Sequence, residues 1–128
     1  MDTTSLWIHR RLIKATADHE ASDQVVDDAI LEVMNHLRGE LLEVGIDSKK
    51  WKKVPKMIVR ATIYGTIATL WASHPEIFSS TGIIQEQFAM EYWEERFINS
   101  LQRFLQTKRV DIIKVEQLIS RIQVPLTN

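Results

Sequence analysis

An all-α fold, a small antiparallel bundle of four to five helices with an extended C-terminal arm, is what this sequence predicts, on three observations. Only four glycines and three prolines punctuate 128 residues, too few turn formers for a β sandwich or barrel. Apolar residues recur at spacings of three and four along most of the chain, the period of a helix face. Hydrophobic residues make up 45% and charged residues 26%, the balance of a globular domain rather than of a disordered chain. No run approaches the roughly 18 apolar residues of a membrane-spanning helix. A chain this long buries about two-thirds of the surface it exposes when unfolded, so a core forms without covalent staples.

The elements follow in order. Ser5 to Ala17 sets Leu6, Ile8, Leu12, Ile13 and Ala15 among Arg10, Arg11 and Lys14, which reads as a short amphipathic helix. After the polar break Asp18 to Ser22, Ser22 or Asp23 is the N-cap of a long helix whose early acids suit the positive end of the helix dipole. Its apolar face is Val26, Ile30, Val33, Leu37, Leu41 and Val44, and Gly45 ends it by taking the left-handed cap conformation, with Ile46 packing back. A basic loop, Asp47 to Val54, leads to Pro55 in the first turn of a third helix, where no amide hydrogen is needed. Ile58, Ala61, Tyr64, Gly65, Ala68, Trp71 and Ala72 mix small residues with large, a pattern that lets a neighbouring helix come close.

Pro75 biases His74 away from the helical region and stops that helix near Ser73. Ser79, Ser80 and Thr81 are candidate caps for a fourth helix. Its stripe is Phe88, Tyr92 or Trp93, Phe97, Leu101, Phe104 and Leu105, which makes it the expected anchor of the core. Val110, Ile113, Val115, Leu118, Ile119 and Ile122 suit a fifth helix capped by Asp111, although Val110 to Val115 is β-branched enough for a strand. Pro125 pushes Val124 toward an extended conformation. The expected division is residues 1–106 as helical domain and 107–128 as C-terminal arm.

Cysteine is absent, which removes disulfides, thiolate nucleophiles and Cys-based metal sites. Met1 to Ser5 has neither the basic nor the apolar region of an export signal, so synthesis in the cytoplasm is expected. No GxGxxG or GxxxxGK[ST] loop occurs, so nucleotide binding by a standard phosphate loop is set aside. Glu32, His36 and Glu40 share one helix face, but a di-metal bundle needs a second column with Glu-x-x-His spacing, and none is present. Glu91, Glu94 and Glu95 read as the solvent face of a helix rather than as an acid–base pair. Neither a cofactor nor an enzymatic activity is expected.

The net charge of −1 conceals segregation. Residues 22–48 hold seven acids against Arg38, and residues 49–60 hold five lysines, counting Lys56, and Arg60 with no acid. Five acids and no base follow from Glu76 to Glu95, then six bases and two acids from Arg96 to Arg121. These are either solvated faces or acidic and basic patches that meet, within the fold or between copies. The most function-like local feature is Lys49-Lys50-Trp51-Lys52-Lys53. It suits three roles: phosphate contact with base stacking, an acidic protein partner, or a plain solvated loop in which Trp51 covers the end of the core.

Residues 6–105 as a whole resemble the head-tail adaptor (connector, head-completion) proteins of long-tailed bacteriophages. The residues that carry the likeness are the leading segment Leu6 to Ala15, the helix opening Asp27-Asp28-Ala29-Ile30 and running to Leu37, the loop into Val54-Pro55-Lys56-Met57-Ile58-Val59-Arg60-Ala61, and a last helix with Tyr92, Arg96 and Phe97. The aromatic load of the fourth helix and the basic loop depart from that pattern. The resemblance implies a structural virion protein of the phage neck that forms a ring, typically dodecameric, between the portal and the tail or stopper protein, with possible passing contact with packaged DNA and no membrane. It also implies a C-terminal arm reaching the portal or a neighbour, so Val110, Ile112, Val124, Pro125 and Leu126 join Lys49, Lys50, Trp51, Lys52 and Lys53 as expected partner-binding residues. Ring closure would set the lysines against the acidic helix Asp23 to Glu43 of the next copy. The alternative is a small helical nucleic-acid-binding or regulatory protein using loop 49–53.

Overall fold

A computed structural model describes residues 5–17, 20–78 and 83–127, with the side chains of 83–87 and 123–127 left aside. Five helices form in chain order: α1 (Arg10–Lys14), α2 (Asp23–Glu43), α3 (Lys56–Ser73), α4 (Ile83–Thr107) and α5 (Ile112–Thr127). Single 3-10 turns occupy Ser48–Lys50 and Pro75–Ile77. No strand occurs among the described residues, and the all-helical bundle is as the sequence predicts.

Local chemistry sets most boundaries. Ser22 is extended, and its hydroxyl accepts from the Val25 amide at 3.2 Å, capping α2. At the other end Gly45 has φ +84°, the Ile46 amide donates to the Leu41 carbonyl at 2.9 Å and the Gly45 amide to Leu42 at 3.0 Å. That is a Schellman closure, which satisfies two orphan carbonyls. Pro55 stands at the cap, one residue before α3, and His74 ends that helix. The expected caps Ser79, Ser80 and Thr81 lie outside the described residues.

α3 is the central helix, packed most extensively on α4 and also on α2. The crowding expected of its small residues is concrete at Gly65: a Cβ there would stand 2.9 Å from the Phe97 ring and 3.1 Å from Val33 Cγ1. Thr62 and Thr66 are fully buried, and each hydroxyl donates to the carbonyl four residues earlier at 2.7 Å. Those bonds remove the cost of burying a bare hydroxyl. Two apolar clusters result. One joins Val33, Leu37, Leu41, Ile58, Phe97, Leu101, Phe104 and Leu105 with α5, and the other joins Ile8, Ile13, Val26, Ile30 and Met34 with Ile67, Leu70, Ile77 and Phe78.

Three expectations are corrected. The leading segment is helical only over Arg10–Lys14. Residues 5–8 instead run across the bundle as a strap, because the Trp7 amide donates to Met34 Sδ at 3.3 Å and Ile8 is buried in the second cluster. Of the two readings open for the segment after Thr107, the fifth helix capped by Asp111 is the one that forms, and what is corrected is the extended arm expected from Val124 onward. Asp111 accepts from the Ile113 amide at 2.8 Å as a cap, and Val115, Leu118, Ile119 and Ile122 are buried against α2 to α4. Burying four such side chains, at about 1.5–3 kcal/mol each, outweighs β preferences that span only about 1 kcal/mol per residue. Pro125 sits in the last turn, where it forfeits one backbone bond without ending the helix at Val124. Finally, the stripe of α4 is buried only from Phe97 onward, whereas Phe88 and Tyr92 are exposed.

Candidate partner-binding site

The basic loop is tied to the bundle by a cap and by aromatic contacts. Asp47 caps its 3-10 turn by accepting from the Lys49 amide at 3.1 Å. Trp51 then folds inward and is half-buried, its ring 5.6 Å from that of Trp7 and edge-on to Phe104 at 6.0 Å. Aromatic contacts of this offset and edge geometry are favourable beyond the area they bury. The Arg38 guanidinium lies 5.3 Å over Trp7, and Lys108 Nζ lies 5.7 Å over Phe104. Because Trp51 points in, Lys49, Lys50, Lys52 and Lys53 are left exposed around it.

The antiparallel pairing of α3 with α4 brings further charge to the same end of the bundle. Lys56 and Arg60 open α3, while Lys108 and Arg109 close α4, and all four are exposed. None of the loop lysines makes a salt bridge to an acid among the described residues. Val110 is half-buried and packs against the first cluster, whereas Ile112 and its neighbour Ile113 are 69% and 61% exposed. Val124, Pro125 and Leu126 fall in the last turn of α5, with side chains outside the described residues. The structure thus gathers the lysine loop and the start of α5 at one basic end. Sequence reasoning missed Trp7, Phe104 and Lys108 as members, since they meet Trp51 only through tertiary packing.

The acidic face of α2 is less available than its composition implies. Arg10 holds Asp27 in a two-pronged pair, Nε to Oδ1 at 3.0 Å and Nη2 to Oδ2 at 2.6 Å. Lys14 Nζ meets Asp23 at 2.8 Å, and these partners keep both carboxyls below the usual carboxylate range. Glu40 accepts from Arg121 Nε at 2.8 Å. The same pairing takes Glu40 out of the Glu32/His36/Glu40 column, and no group of three metal-ligating side chains gathers among the described residues. Asp28, Glu32 and Glu43 stay exposed.

A second unneutralised region lies further along the bundle, on the first half of α4 up to its midpoint. Glu91 and Glu95 are exposed beside Phe88 and Tyr92, and Arg96 lies 4.3 Å over the Tyr92 ring. Trp93 is half-buried, 5.9 Å from Tyr64. Glu94, turned toward the bundle, is held above its ordinary value by burial first and by the charge of Glu91 second. No helix among the described residues is long and apolar enough to cross a membrane. Comparison of the chain with protein-family models, with curated proteins and with solved structures returns no match in any of the three.

Proposed function

We propose that this protein is a structural virion protein that works by binding other proteins, a head-tail adaptor ring between portal and tail in the phage neck. One observation carries the reading: four exposed lysines stand around an inward-packed tryptophan with no intrachain acid partner among the described residues. Clustered charge of one sign, without acid partners among the described residues, suits an acidic protein surface, where it sets register and speeds encounter more than it adds affinity. Base stacking is the weaker use of the loop, because Trp51 already spends its ring on Trp7 and Phe104.

The test reverses Lys49, Lys50, Lys52 and Lys53 to glutamate. The variant is expected to keep its helical circular dichroism and to lose retention on purified portal-bearing capsids. Normal retention would overturn the reading, and loss of DNA binding with retention intact would favour a nucleic-acid-binding regulator. Deleting residues 107–128 is not an equivalent test, since it strips four buried side chains from the core.

A further inference from the structure

We infer that the outer ridge of the first half of α4, formed by Phe88, Glu91, Tyr92 and Glu95, is a docking surface for the basic end of a second copy of this chain. The ridge is one helix face: positions 88, 91, 92 and 95 lie within a sector of roughly 100°, centred opposite Phe97 and Leu101. Phe88 is 65% exposed and Tyr92 48%, large values for side chains of this size with no structural duty in the core. Tyr92 is held by Arg96 and Trp93, whose ring meets it edge-on at 4.9 Å, so little of its freedom remains to be lost on binding. Glu91 and Glu95 make no salt bridge among the described residues.

The occupant is identified by complementarity. An aromatic pair flanked by carboxylates that have no salt-bridge partner among the described residues fits an apolar pair flanked by cations that likewise have none, and the basic end offers that pattern in Ile112 and Ile113 with Lys49, Lys50, Lys52, Lys53, Lys108 and Arg109. One chain cannot satisfy itself. From Glu95 to the end of α4 at Thr107 is roughly 18 Å of helix, about twice the screening length at physiological salt. Two different surfaces of identical chains then meet, which is a heterologous, head-to-tail contact. The face of α2 competes poorly for this role, because Asp23, Asp27 and Glu40 are occupied within the chain.

This inference rests on the basic end being a partner surface and deepens that reading. Sedimentation equilibrium of the full chain tests it, with the loop reversal (Lys49, Lys50, Lys52 and Lys53 to glutamate) and a ridge reversal, Glu91→Lys with Glu95→Lys. Wild type is expected to self-associate, more weakly as salt is added. Each reversal alone should weaken association on the order of tenfold or more, while an equimolar mixture of the two regains it, because each altered surface then meets its opposite. The milder E91Q/E95Q pair should weaken association less, and Phe88→Ser should weaken it at every salt concentration. A chain that stays monomeric throughout, reversals that change nothing, or a mixture that fails to recover would each overturn the inference. Monomeric wild type that is still retained on capsids sinks the self-contact and leaves the adaptor reading standing; self-association without retention does the reverse.

Discussion

The two halves of α4 share one amphipathic helix and opposite fates. From Phe97 to Leu105 its aromatic and aliphatic side chains close the core, with Phe97 1% exposed against 65% for Phe88. The lesson is one of phase. The step from Tyr92 to Phe97 is five residues and turns the helix by about 140° more than one full turn, so a stripe that looks continuous in the sequence changes face. Trp93, one residue on, is the member that points back toward α3. Aromatic content identifies a helix worth burying, and only its angular register says which part is buried.

That contrast is most sharply broken by Phe97→Ala, expected to cost about 3–5 kcal/mol, while Phe88→Ala stays within about 0.5 kcal/mol. Urea denaturation of the two variants measures both, and equal effects would mean the register assigned to α4 is wrong. Next in size is Gly65→Val, which sets a branched side chain where even a Cβ lies 2.9 Å from the Phe97 ring. It should destabilise by about 1–3 kcal/mol, and Phe97→Leu in the same chain should recover part of that loss in a double-mutant cycle.

The helix ends extend the comparison. α4 closes with the same pair of bonds as α2, Val110 to Leu105 at 3.2 Å and Arg109 to Gln106 at 3.0 Å, yet the left-handed position holds Arg109 at φ 57° where α2 has glycine. Gly45→Val should therefore cost about 1–2 kcal/mol, whereas Arg109→Gly should gain about 0.5–1 kcal/mol. Thermal melts of the two variants should move in opposite directions.

The smallest effects are those of pH, and the two carboxylates concerned have opposite signs. Asp27 is held below its ordinary 3.8 by Arg10, so its contribution is present above that value and is lost as pH falls through the lower folded value. Glu94 is held above its ordinary 4.5 by burial; its charged form opposes folding, so stability falls as pH rises through that range. Glu94→Gln should raise the melting temperature near neutral pH and leave it unchanged well below 4.5. Arg10→Ala should lower it near neutral pH and do less at the acid end. Melts of both variants across pH check the two signs together.

What was legible in the sequence was whatever short-range chemistry decides. Ser22, Gly45 and Pro75 mark helix ends because each acts on backbone groups within a few residues. The small residues of α3 announced a close neighbour, and the Lys-Trp-Lys loop announced itself. Illegible were the pairings that only the fold creates: Arg10 with Asp27, Glu40 with Arg121, Trp7 with Trp51. The first two removed acid from a face that composition alone shows as free, and the third turned inward the one aromatic that seemed available for a ligand. For α5, burial decided between helix and strand, a quantity no local pattern carries.

Trp7 has a wider consequence than its place beneath the basic loop. It is packed against both apolar clusters, one built on α4 and α5, the other on α1 and the first half of α2. A residue shared in this way couples the two as units of local opening. With the strap seated, amide hydrogens of Leu37 and Ile30, one in each cluster, should exchange through a common cooperative event. With Trp7 truncated to alanine, the strap's half of the molecule becomes free to open first, and the chain's unfolding divides along the line between the two clusters.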